Sequence, residues 1–222
     1  MLPSSWKLWG EWLLLFALFP FVLWEINLSD ADKPYHFIRQ YFFILMWCVA
    51  LLILWYRRKP PKKAPLGTAL KLAELRPILW RFALAIPLVF AAIAIIAPER
   101  VLQLPLERPG IWLMVMFLYP VFSVFPQELI YRHFFFRRYA PLFGKGQGVI
   151  IMSALTFGHV HLLFNNAIAY ILSIAGGYLF AITYAKTRNL WLVSLEHAIY
   201  GQLIFTSGLG WYFYRSGAAI SG

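Results

Sequence analysis

Charge is scarce in this chain: only 13% of its 222 residues are charged, and nine of them are acidic. Soluble domains run about 25% charged and about 45–50% apolar. Here 61% of residues are hydrophobic, 19% are aromatic, and mean hydropathy is +0.67. So few polar groups cannot cover the apolar surface of a chain this size, which excludes a soluble globular enzyme and a disordered tail. Cysteine is nearly absent. Cys48 alone excludes an internal disulfide and any cysteine-rich metal site. The helical zinc signature His-Glu-x-x-His is missing, and no fixed-period repeat is visible. The shortage of acids leaves a net charge of +11. Its lysines and arginines fall between apolar runs, so they read as membrane topology and attraction to anionic headgroups, with no nucleic-acid partner.

What the chain has in abundance is long apolar runs. A spanning helix needs about 20 mostly apolar residues, and the sequence predicts an all-α, polytopic membrane helical bundle of about seven transmembrane helices. The first two centre on Trp12–Trp24 and Tyr41–Tyr56, the third on Phe82–Pro98, and the fourth lies within Pro109–Arg138. No residue from Gly146 to Ala185 carries a formal charge, too long a run for one span. It divides at Asn165-Asn166 into the fifth and sixth. The seventh runs from about Leu190 to about Phe205. The first run contains Glu11 and several tryptophans and is read as a retained helix, not a cleavable signal. Basic loops are expected at Arg57–Arg76, at Arg137, Arg138 and Lys145, and at Lys186 and Arg188. Glu25, Asp30, Asp32, Glu99 and Glu107 fall in the opposite loops. That alternation places the N-terminus inside and the C-terminus outside a membrane, expected to be a bacterial cytoplasmic one. The Pro/Lys stretch Lys59–Leu66 separates an N-terminal helix pair with its basic loop, residues 1–64, from a five-helix remainder, residues 65–222.

Ionisable side chains inside a bilayer are expensive and each is a functional candidate. Glu128, Arg132, His161 and His197 stand out. Glu128 and Arg132 are four apart, on one helical face, and an ion pair joining helices is the plainer reading of Arg132. At 1.5 Å per residue, Glu128 lies roughly 14 Å above Arg137 and His197 roughly 14 Å above Arg188. His161 comes out roughly 20 Å above Gly148, a mismatch on the order of 6 Å that tilt can absorb. One carboxylate and two imidazoles from three spans are thus expected at one level. Such a group suits hydrolysis: the carboxylate takes a proton from water, and an imidazole positions that water or donates to the developing oxyanion. The same Glu128, His161 and His197 could instead hold zinc, since two histidines and a glutamate form a known catalytic set. The missing zinc signature favours hydrolysis without a cofactor. His159, two positions from His161, points elsewhere and is expected to bond to backbone or tyrosine. Glu196 is expected to orient an imidazole or to pair with a basic group. Gly176-Gly177 and the many aromatics read as close helix packing and interface anchoring.

At these residues the chain resembles the CPBP family, the CAAX-prenyl-protease and bacteriocin-processing (Abi-type) intramembrane proteases. That family's motifs are Glu-Glu-x-x-x-Arg, Phe-x-x-x-His and His-x-x-x-Asn. Here they read Gln127-Glu128-Leu129-Ile130-Tyr131-Arg132, Phe157-Gly158-His159-Val160-His161 and His197-Ala198-Ile199-Tyr200-Gly201. Order and spacing agree across about Pro109–Phe205, and residues 65–222 would form the CPBP-like core. The resemblance implies that the glutamates of the first motif activate water. The histidines would position it and stabilise the oxyanion, with the asparagine completing that site. Two positions depart: Gln127 stands for the first glutamate, and Gly201 for the asparagine. Glu128 would then be the base, and an amide from Gln127, Gln202 or Asn165 would serve the oxyanion.

These readings lead to an intramembrane endopeptidase of glutamic type. Its substrate would be a membrane-anchored protein or peptide, either CAAX-type or bearing a leader or sorting signal. A non-catalytic membrane binding module on the same fold is the alternative that Gln127 and Gly201 suggest. A proton-coupled carrier, built on intramembrane Glu and His, ranks last because no paired half-repeats are seen.

Overall fold

The computed structural model describes residues 5–29, 37–57, 66–67 and 69–214. Among these every regular element is helical. In hydrocarbon only a helix or a closed barrel satisfies its own backbone, and the long apolar runs take the helical solution.

Helix α1 runs without a break through Ser5–Trp12, a π-helical stretch Leu13–Leu18, and Phe19–Ser29. Helix α2 spans Phe37–Arg57 and α3 spans Leu72–Ile96. A 3₁₀ turn, Pro98–Arg100, and short helix α4, Gln103–Glu107, lead into α5, a continuous 35-residue rod from Pro109 to Phe143. Helix α6, Gln147–Val160, closes in a 3₁₀ turn, His161–Phe164. Helices α7 (Ala167–Thr187), α8 (Leu190–Ser207) and α9 (Trp211–Tyr214) follow among the described residues.

A helix stands at each of the seven places expected. Five stretches are long and apolar enough to cross a membrane: Ser5–Ile26, Leu72–Ile96, Pro109–Phe143, Gln147–Phe164 and Ala167–Thr187. The protein is therefore a helical membrane bundle with five spans of that quality. The described apolar part of α2, Ile44–Trp55, is shorter, and α8 is not among the five. The division expected at Asn165-Asn166 is where the chain turns. Asn165 adopts the left-handed conformation that asparagine tolerates, and the Asn166 side chain caps α7 by accepting from the Ala169 N–H.

Helix takes up part of two expected loops. Helix α3 begins ten residues before Phe82, so Arg76 is helical. Helix α5 continues past Arg137 and Arg138 to Phe143, leaving only Gly144–Gly146 as the turn. The rod outruns the bilayer: 35 residues rise about 52 Å against about 30 Å of hydrocarbon. Arg138 needs no loop because Glu11 of α1 meets it, Nε to Oε1 at 2.8 Å with a second contact from Nη2 to Oε2. Tyr139 donates to the same Oε1 at 2.8 Å. The linker-like stretch Lys59–Leu66, apart from Leu66, and the acidic residues Asp30 and Asp32 lie outside the described residues.

The principal hydrophobic cluster joins the first two helices to α5–α8. Phe16 of α1 sits edge-on to Tyr131, Phe135 and Tyr139, while Met46 and Ala50 of α2 share the cluster with residues of α5 to α8. Helices α6 and α7 pack most closely. A Cβ at Gly177 would stand 2.9 Å from the Phe157 ring and 3.3 Å from the Ala154 backbone, so glycine is what lets these helices approach.

Candidate functional site: a buried carboxylate–imidazole–phenol chain

The middle of α5 departs from α-helical geometry twice, with π-helical turns at Pro120–Val124 and Leu129–Phe134 on either side of Phe125–Glu128. Prolines set up the first departure. Pro120 and Pro126 bring no N–H to the carbonyls four residues earlier, Met116 and Phe122. Those carbonyls accept from side chains on other helices, Gln202 Nε2 at 2.8 Å and Trp47 Nε1 at 2.9 Å. Wide turns of this kind recur at functional sites, and here they bracket Glu128.

Glu128 and Arg132 are both fully buried, at 0% exposure. The Glu128 Oε2 to Arg132 Nε separation is 3.3 Å, the expected i, i+4 ion pair. Arg132 Nη1 donates to Ser153 Oγ at 3.2 Å, and that hydroxyl donates to the Tyr131 carbonyl at 2.7 Å. The guanidinium carbon lies 4.8 Å from the Phe157 ring centre and 5.8 Å from that of Phe180. Carboxylate and guanidinium neutralise one another where neither could stand alone.

The other carboxylate oxygen takes His197. Its Nδ1 lies 2.8 Å from Glu128 Oε1. A carboxylate can only accept, so Nδ1 carries a proton, and in the neutral tautomer this leaves Nε2 as the acceptor. That nitrogen is 3.0 Å from the Tyr119 hydroxyl, which donates to it in that tautomer. Phe180 stacks on the His197 ring at 4.5 Å and 20°, and Phe157 meets it edge-on at 5.5 Å, so the imidazole has little room to turn. Three side chains thus form one chain, Glu128–His197–Tyr119.

His161 belongs to the same neighbourhood but touches neither end of that chain. Its Nδ1 donates to the Phe157 carbonyl at 2.7 Å, which fixes Nε2 as the acceptor. Its ring lies 4.7 Å from that of Phe157, so the two imidazoles flank one phenyl group. Among the described residues no three His, Cys, Asp or Glu side chains are grouped to hold a metal ion. Both His197 nitrogens are engaged, and His161 is turned to a backbone carbonyl.

The amides considered for the oxyanion have other bonds. Gln127 Nε2 donates to Ser123 Oγ at 2.8 Å and Gln202 caps Met116, while Asn165 Oδ1 accepts from Trp24 Nε1 at 3.4 Å. Gln127 Oε1 is buried without a hydrogen-bond partner. His159 is turned away as expected, its Nε2 donating to the Ala17 carbonyl of α1 at 3.0 Å. Glu196, fully buried, pairs with a basic group, Arg81 Nη2 at 2.8 Å, and the same nitrogen reaches Thr183 Oγ1 at 2.9 Å. Arg81 could have been found from sequence, being the last charge before the uncharged run Phe82–Pro98. Tyr119 could not, because a tyrosine in an apolar helix has no distinguishing signal.

The fold and these groups define a polytopic helical membrane protein with a buried, charge-balanced carboxylate–imidazole centre. Residues 109–203 match the family model described as type II CAAX prenyl endopeptidase Rce1-like, which takes in all three motifs and supports the resemblance read from them. Over that segment the chain is similar to this family of type II CAAX prenyl endopeptidases. No curated protein and no solved structure matches the chain.

Proposed function

We propose that the protein is an intramembrane endopeptidase that hydrolyses a peptide bond in a membrane-associated protein, of CAAX type or bearing a leader or sorting signal. One observation carries the reading: the 2.8 Å bond between Glu128 and His197. Glu128 is closed off by Arg132 and His197, so its part in activating water is exerted through the imidazole. It holds the Nδ1 proton and stabilises the positive ring, and Nε2 takes the proton of the attacking water. His161, whose Nε2 is left as an acceptor by the Nδ1 bond, orients that water. The water oxygen bonds to the carbonyl carbon, an oxyanion forms, and its collapse expels the amine, which receives the proton from His197 Nε2. The basic residues between the spans support an N-terminus on the cytoplasmic side of a bacterial inner membrane.

The test is cleavage of a membrane-anchored peptide with a prenylated C-terminal cysteine by the purified chain in bicelles. Glu128→Gln is expected to lower kcat by about 10³–10⁴-fold, the scale of a carboxylate-to-amide change behind a catalytic histidine, with unfolding still cooperative. Undiminished cleavage by this variant would sink the proposal.

Gln127 favours a second reading, a protein that binds such substrates without cutting them. An amide stands where the resemblance places a base, with its carbonyl oxygen buried and without a hydrogen-bond partner. It predicts no cleavage by the unaltered chain, and a substrate complex that survives His161→Ala.

A further inference from the structure

We infer that the Tyr119 hydroxyl is the donor to the oxyanion, occupying the space and taking over the chemistry of the side chain that Gly201 lacks. This rests on the endopeptidase reading above. His197 and Gly201 are four apart on α8, so a side chain at position 201 would project beside the imidazole. That volume is filled. A Cβ at Gly201 would lie 2.3 Å from both Cε1 and the hydroxyl oxygen of Tyr119, and 2.5 Å from its Cζ. The phenol comes from α5, one residue before Pro120, and its hydroxyl stands 3.0 Å from His197 Nε2. The glycine and the tyrosine therefore form one substitution spread over two helices: α8 gives up a side chain and α5 fills the gap with a hydrogen-bond donor.

The phenol is held for this use. Its ring packs edge-on against Phe205 at 5.3 Å and His197 at 6.0 Å, so the hydroxyl is aimed before substrate arrives. In the resting protein its proton points at Nε2. When water occupies that nitrogen, the hydroxyl is released to a carbonyl oxygen bound next to it. Water adds to the carbonyl carbon, its proton goes to Nε2, and the carbonyl π pair moves onto oxygen. The Tyr119 O–H donates to that oxygen and keeps its own proton throughout, and expulsion of the amine returns the Nε2 proton.

The experiment is steady-state cleavage of the same anchored peptide by the full chain and by Tyr119→Phe, Tyr119→Ala, Tyr119→Ala/Gly201→Asn and Tyr119→Ala/Gly201→Ala. Thermal unfolding is recorded for each. Tyr119→Phe, which keeps the ring, should lower kcat by about 10²–10³-fold with KM little changed. Adding Gly201→Asn to Tyr119→Ala should restore at least about tenfold of the lost kcat, since an amide then has both the room and the proton. Adding Gly201→Ala should restore none. Wild-type kcat in Tyr119→Phe, or equal rescue by alanine and asparagine, overturns the inference while leaving the endopeptidase reading standing. Failure of the unaltered chain to cleave overturns both.

Discussion

Arg132→Met is the sharpest probe of the buried centre, because its effect is fixed by burial and does not depend on knowing the substrate. Arg132 and Glu128 are both at 0% exposure, 3.3 Å apart, and the guanidinium also bonds to Ser153. Methionine nearly keeps the length and apolar stem of the side chain and removes the charge. The Glu128 carboxylate is then left in the protein interior with only His197 to balance it, and stranding one member of a buried pair costs about 3–5 kcal/mol. Glu128→Gln/Arg132→Met removes both charges and should be more stable than Arg132→Met alone, with a coupling of about 1–3 kcal/mol. The assay is reversible unfolding in bicelles followed by circular dichroism, with the two single variants and the double variant closing the cycle. Arg132→Met within about 1 kcal/mol of the parent, or a double variant equal to the sum of the singles, would refute the burial argument.

Other substitutions separate neighbouring groups by role. Arg81→Met should destabilise more than Glu196→Gln, because it leaves the fully buried Glu196 without its cation; thermal unfolding of the pair decides. His159→Ala should leave kcat intact and cost about 1 kcal/mol through the lost bond to the Ala17 carbonyl. Reduced kcat at unchanged stability would bring His159 into the chemistry. Glu11→Gln should cost no more than about 1 kcal/mol, since both ends of the Glu11–Arg138 pair keep partial exposure, and should not change cleavage. Gly177→Val should displace the Phe157 ring that lies against both His161 and His197, so activity should fall further than stability; kinetics and unfolding on one preparation would show it.

Helix positions were legible because the apolar runs are long and their interruptions have a definite chemistry. Asn165 and Asn166 mark the fifth boundary for reasons local to themselves, a left-handed turn and a cap. Arg138 misled for the opposite reason. A charge signals a loop only if it has no partner, and Arg138 finds Glu11 from a helix more than a hundred residues away. The candidate site was half legible. Glu128, Arg132 and His197 were found as costly groups at compatible depths, and they meet. That His161 lies across Phe157, and that Glu128 is closed in by its two partners, depends on side-chain directions from three helices, which spacing does not carry. The Tyr119 contact depends in addition on what Gly201 leaves empty.

The first wide turn of α5 has a consequence for how this region tolerates change. Nine positions separate Tyr119 from Glu128, and at about 100° per residue a regular helix would set them on opposite sides. Both nevertheless reach one imidazole, at its two nitrogens. The turn at Pro120–Val124 takes in an extra residue and corrects the phase. Deleting one residue there would leave a rod apolar enough to insert, yet would swing phenol and carboxylate apart. For this stretch residue count is constrained more tightly than composition: substitutions that stay greasy should pass, and a single-codon deletion should not.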